Sequence, residues 1–267
     1  MPAPESAAHM TVPVGAWQRD WIQRHGGALD RSVTVHYVQT PSVFGDVRIR
    51  LDRPDLAHAT SFADLSDDQL AQLARQNGFA GVATIEGNNA TWHHEIDYQP
   101  AEGADIGRVE RLDDRTMLEH ALDASYVERW ATIDPGHGRY LAVRVQRAGR
   151  VDQLLVVAGD HFIYARARTT PLPPGDSITD IIARTHPTRD QLIAYLDCEI
   201  SHGRVSGWTI EHSTLPWLQG KHLAFAAQLT LDPDGRPVPR VAAADETWTV
   251  PVNTLGPTEL RALLAPR

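Results

Sequence analysis

The feature that most constrains the fold is a repeat. In the stretch FGDVRIR, Phe44, Arg48 and Arg50 recur 118 positions later as Phe162, Arg166 and Arg168 of FIYARAR. VERW, ending at Trp130, recurs at the same spacing as DETW, ending at Trp248, which puts Glu128 in register with Glu246. ATWHHEIDYQP, residues 90–100, roughly matches SGWTIEHSTLP and sets Trp92 against Trp208 at a slightly shorter spacing. Two helical segments match as well. In LSDDQLAQLARQNG, Ser66 and Gln69 form a capping box, Leu70 and Leu73 a buried stripe, and Asn77-Gly78 a stop. In HPTRDQLIAYLD, Thr188 and Gln191 repeat the box, and Leu192, Tyr195 and Leu196 the stripe. Matches in the same order imply a tandem duplication.

Each unit is then roughly 120 residues of alternating, β-branched segments around one capped helix. Residues 32–40, FGDVRIR, GFAGVATI, RTMLEH and SYVERWATI read as strands, and EGNNAT between two of them as an Asn/Gly turn. Many antiparallel strands with one helix suit a small closed barrel, because closure removes sheet edges and the helix can plug a mouth. The expected fold is therefore mostly β, with two tandem antiparallel barrels; a single large β-sandwich is the competing architecture. Residues 1–30 are expected to be a mobile tail and a short helix, since Trp17 and Trp21 stand at helical spacing. Residues 31–138 would form the first barrel and 139–267 the second.

Bulk properties exclude several classes. A net charge of −9 argues against nucleic-acid or anionic-membrane binding. The single cysteine, Cys198, excludes a disulfide framework and a multi-cysteine zinc site, and its acidic neighbours make it a poor thiolate. No apolar run reaches membrane-spanning length and the first residues lack a secretory signal, so a cytoplasmic protein is expected. Phosphate-loop, dinucleotide-binding and nucleophile-elbow signatures are absent, and no cofactor is expected.

The succession HYVQTPSVFGDVRIRLDRP, GFAGVATIEGNNATWHHEIDYQP and DRTMLEHALDASYVERW resembles a bacterial family of lipocalin-like proteins. It also resembles, more distantly, a fungal double-barrel protein of calycin type. The resemblance implies a fold, two lipocalin-like barrels in tandem each with its capped helix. It transfers no residue roles, and fold alone does not give function.

Candidate site residues come from alternation. If residues 90–100 form a strand, Thr91, His93, Glu95, Asp97 and Gln99 share a solvated face, and Trp92, His94, Ile96 and Tyr98 an apolar one. His94 stands out because its repeat counterpart falls near Ile210. His93, Glu95 and Asp97 share a face but carry no metal signature, and no metal site is assigned. Tyr126, Glu128 and Trp130 share another face, with Glu119 on the preceding strand and Arg48 available as a charge partner for Glu128. That pair recurs as Arg166 and Glu246, as a scaffold ion pair would. The first expectation is a small-molecule-binding protein with its ligand in the N-terminal barrel. Arg48, Trp92, Tyr98, Tyr126 and Trp130 bind it. The second is a cofactor-independent lyase, dehydratase, isomerase or cyclase in the same cavity, with His94, Glu128 and Glu119 as acid–base groups. The third is an interaction module with filled barrels. The expected partner is a small molecule, and pairing of two copies as a homodimer is left open.

Overall fold

The computed structural model describes residues 13–56, 58–100 and 103–265. The tail expected at the start of the chain falls mostly on residues 1–12, outside the described residues.

The first half is a closed antiparallel barrel. Its strands are β1 (Gly15–Arg24), β3 (Val33–Gln39), β4 (Val43–Arg50), β5 (Asn77–Glu86), β6 (Asn89–Asp97), β7 (Asp105–Arg111), β8 (Thr116–Ala121) and β9 (Tyr126–Asp134). Each pairs with the next, and β9 returns to pair with β1, which leaves no free edge in the ring of eight. A two-residue strand, β2 (Leu29–Asp30), pairs with the end of β1. The turn expected in EGNNAT joins β5 to β6 through Gly87, at φ +61°.

The segment expected as a short helix is strand β1, the strand that closes the barrel. Helical spacing of Trp17 and Trp21 misled because β1 carries a bulge at Asp20, so the partner register slips between Arg19 and Trp21. Trp17 is in the barrel core and Trp21 is only half-buried.

The second half repeats the strand order without closing. Strands β10 (Tyr140–Arg147), β11 (Arg150–Ala158), β12 (His161–Arg166), β13 (Glu199–Arg204) and β14 (Thr209–Ser213) follow one another, and β17 (Glu246–Asn253) pairs back onto β10 as β9 does onto β1. Between β14 and β17 the chain forms a separate hairpin, β15 (Leu229–Leu231) with β16 (Pro237–Pro239). The result is an open six-stranded sheet, not the second closed barrel that was expected.

Both expected capping boxes are present. Ser66 Oγ accepts from Gln69 N at the start of α1 (Asp67–Leu73), and Thr188 Oγ1 accepts from Gln191 N before α3 (Arg189–Leu196). The second half also carries α2 (Ile178–Thr185) and α4 (Pro257–Leu263), so it has more than the one helix expected. Helix α1 ends before Asn77-Gly78, which open β5 instead. The helices do not plug a barrel. Leu70, Leu73, Leu192 and Leu196 join Val47, Ile96, Ile163 and Ile200 in one core between the barrel wall and the sheet. Gly45 permits this contact, because a Cβ there would lie 2.4 Å from Ile163 Cγ2. No helix among the described residues is long and apolar enough to cross a membrane.

Candidate functional site in the barrel interior

Inward residues of the eight strands bring an aromatic and a charged set together. Tyr37, Phe79, Trp92, Met117 and Trp130 line the centre, with Asp46, Arg48, Asp105 and Glu119 among them. The remaining gap offers about 20 Å³ to the centre of a water molecule, which is room for one water.

Burying this much charge requires pairing. Arg19 on β1 donates to Glu128 Oε1 on β9, both nearly inaccessible to solvent. Arg48 donates through Nε to Asp46 Oδ1 at 2.8 Å and through Nη2 to Oδ2 at 3.3 Å, and its guanidinium lies 4.8 Å above the Phe79 ring. The expected Arg48–Glu128 pair does not form. Each group finds a nearer partner, Arg48 on its own strand and Glu128 across the β1–β9 closure. Nor does its repeat form, since Arg166 pairs with Asp197 and Glu246 with Arg147.

Tyr126 Oη donates to Glu119 Oε1 at 2.9 Å. Burial, then the nearby carboxylates of Glu128 and Asp105, push the Glu119 carboxyl up to about 8. Burial likewise raises Asp46, against the pull of Arg48. Trp92 Nε1 donates to Tyr37 Oη at 3.0 Å, and Tyr37 Oη donates in turn to Gln39 Oε1. Within the barrel interior, Glu128 Oε2, an acceptor, and Trp130 Nε1, a donor, are buried and have no partner among the described residues.

His94 sits at the mouth. Its Nδ1 is 2.6 Å from Asp97 Oδ1 and its Nε2 is 3.1 Å from Asp105 Oδ2, and the ring stacks on Phe79 at 4.1 Å. Burial disfavours the charged ring, but the hydrogen bonds to Asp105 and Asp97 outweigh it and raise His94 to about 9. At neutral pH it is a cation bridging two aspartates, which is the wrong protonation state for a general base.

Tyr98 is not in the barrel. Ala80 pairs with Ile96 but Gly81 pairs with His94, so Glu95 is an extra residue and side-chain parity reverses there. The bulge needs Gly81, where a Cβ would lie 2.0 Å from His93 O. Trp92 remains inside, while Ile96 and Tyr98 turn into the core between the halves, where Tyr98 Oη donates to Leu73 O at 2.9 Å. The expected solvated face dissolves too: His93 is exposed, Glu95 pairs with Arg144 of β10, and Asp97 holds His94. Thus Arg48, Trp92, Glu119, Tyr126, Glu128 and Trp130 converge, His94 guards the mouth, and Tyr98 lies elsewhere. Reading the sequence missed Arg19, Asp46 and Asp105. Asp46 was legible from its alternation with Arg48; Arg19 was hidden by the helical reading of β1.

These features define a class: a β protein with a closed eight-stranded barrel, polar at its centre, packed on an open sheet. No protein-family profile and no curated protein sequence matches the chain. Among solved structures, it is similar to an uncharacterized protein from Saccharomyces cerevisiae, with a TM-score of 0.51 and 13% identity over 89% of this chain and 98% of that one. An uncharacterized protein from Bacteroides eggerthii aligns at a TM-score of 0.29 and 12% identity over 45% of this chain and 99% of that one, too weakly to carry an argument. The yeast likeness concerns the fold alone.

Proposed function

We propose that the closed barrel binds a compact small molecule, in the manner of lipocalin-like proteins. Its ligand presents an acceptor to Trp130 Nε1 and an N–H or O–H donor to Glu128 Oε2. The observation that carries this reading is that both atoms are buried and unpaired among the described residues of the barrel interior, with Trp130 itself lining the central gap. Leaving such atoms unpaired costs about 1–3 kcal/mol each, a cost that a ligand recovers. Charge narrows the class. Asp46, Asp105, Glu119 and Glu128 face Arg19 and Arg48, with His94 at the mouth, and Asp46 already engages Arg48. With Glu119 protonated and His94 charged, three carboxylates meet three cations, and this balance in an aromatic setting favours a neutral hydrogen-bonding ligand such as an amide over an anion. Anything larger than water displaces Met117 or the Arg48 side chain, which is 26% exposed and so leads outward.

A second reading is favoured by Glu119. A carboxyl group near 8 is poised to exchange a proton at neutral pH, so the same cavity suits a cofactor-independent lyase or isomerase with Glu119 as acid–base and Glu128 as electrostatic partner.

Native mass spectrometry of the purified protein before and after denaturation tests for a retained ligand, followed by a thermal-shift series of small amides, amidines and amines. Saturable binding that weakens about tenfold in Trp130→Phe is the expected result. Turnover lost in Glu119→Gln with binding intact selects the enzyme. Absence of any adduct or shift sinks both and leaves a filled scaffold whose surface docks a partner.

A further inference from the structure

Between the barrel wall and the open sheet lies a group of histidines that the barrel site does not use. His36 comes from β3, His161 from β12, His202 from β13 and His212 from β14. His36, His161 and His202 are buried; His212 is half-buried and lines an open cleft of about 560 Å³ with Arg53 and Trp217. One ring nitrogen from each of His36, His202 and His212 lies within 4.8 Å of the others. His36 and His202 stack at 4.1 Å, and His36 and His212 lie 4.5 Å apart.

Stacking accounts for the ring faces but not for the ring edges. Nδ1 of His36, of His202 and of His212 is buried without a hydrogen-bond partner. We propose that His36, His202 and His212 form a three-histidine site for a divalent transition-metal ion, zinc fitting best, with Glu211 or a water as fourth ligand.

Three features support it. The donor set is all imidazole, which suits zinc, copper or nickel rather than magnesium or calcium, which require oxygen. His161 Nδ1 lies 3.0 Å from His202 Nε2. If His202 Nε2–H donates there, His202 Nδ1 is left with its lone pair, the outer-shell arrangement that orients a ligating histidine. Finally, the carboxylate of the exposed Glu211 reaches to 3.8 Å from His202 Nδ1, at the solvent side of the group. Three nitrogens around a tetrahedral zinc stand about 3.3 Å apart, so binding draws the rings together and tilts them out of their stack. The ion then ties β3 of the barrel to β13 and β14 of the sheet.

The test uses full-length, untagged protein stripped with a chelator and titrated with cobalt(II) at neutral pH. The expected result is one equivalent giving the visible absorption of tetrahedral cobalt, displaced by zinc. His212→Gln, at the cleft, keeps the fold by circular dichroism and weakens cobalt affinity about a hundredfold; His161→Ala weakens it about tenfold through ring orientation. No tetrahedral spectrum in the wild type overturns the proposal, as does a spectrum and affinity unchanged in His212→Gln. The barrel reading stands or falls independently of either result.

Discussion

Glu128–Trp130 and Glu246–Trp248 are the same pair of residues at the same spacing on the last strand of each half. In the open sheet they satisfy each other: Trp248 Nε1 donates to Glu246 Oε2 at 3.0 Å, and Arg147 completes the carboxylate at 2.6 Å. These bonds hold the Glu246 carboxyl below its usual range. In the closed barrel Arg19 takes the place of Arg147 across the first and last strands, but the indole and the carboxylate do not meet. Closure turns one copy inward among Glu119, Asp105 and Asp46, while the other stays beside solvent. An equivalent local sequence therefore yields a finished surface network in one half and two unsatisfied atoms in the other.

Neutralising the two glutamates is expected to separate the two halves most strongly. Glu128→Gln strands the buried Arg19 charge and is expected to cost about 3–5 kcal/mol. Glu246→Gln is expected to cost about 1 kcal/mol or less, because Arg147 remains half in water. Urea unfolding of both proteins measures the gap, and equal costs would mean that closure does not isolate Glu128.

Next in size is Glu119, which has no partner strand in the open half. Its folded pKa of about 8 is raised from 4.5, so its contribution is intact below pH 4.5 and is lost as pH rises through 8. Glu119→Gln should flatten that slope and stabilise the protein at pH 8 by on the order of a few kcal/mol. Stability–pH profiles of the two proteins check it. His94 shows the same sign by a different route. Raised from 6.5 to about 9, it stabilises the fold below pH 6.5 and loses that contribution as pH rises through 9. His94→Gln should cost on the order of 2–3 kcal/mol at pH 6 and little above pH 10. Its counterpart near Ile210 is core packing, so that position of the second half carries no titrating group.

The smallest effect is the most diagnostic. Trp248→Phe removes a made hydrogen bond and should cost about 1 kcal/mol, whereas Trp130→Phe removes a buried unpaired donor and should be neutral or slightly stabilising in the free protein. Thermal unfolding of the pair distinguishes them. A cost for Trp130→Phe matching that of Trp248→Phe would mean the barrel indole has a partner.

What could be read along the chain was what neighbouring residues decide. The boxes Ser66–Gln69 and Thr188–Gln191 are closed within one helical turn, and the turn at Gly87 is set by its own residues. The alternation of Tyr126, Glu128 and Trp130 also survived into the structure. Tyr98 was misplaced because one extra residue at Glu95 reverses every side chain beyond it, and β1 was misread because the bulge at Asp20 disguises a strand's parity. Neither bulge has a local signature; each exists only relative to the strand opposite.

By itself, the sequence determined the two capped helices, most strands of the first half, and which residues carry the polar face of β9. Those follow from side-chain period, caps and turn residues, all acting over a few positions. Tertiary structure alone decided that the first ring closes and the second does not, and that Glu128 meets Arg19 rather than Arg48. It also gathered histidines from β3, β12, β13 and β14 at one point. Such outcomes depend on pairing between residues far apart in the chain, where the cost of burying a charge or leaving a nitrogen unpaired is set by whatever the fold brings alongside.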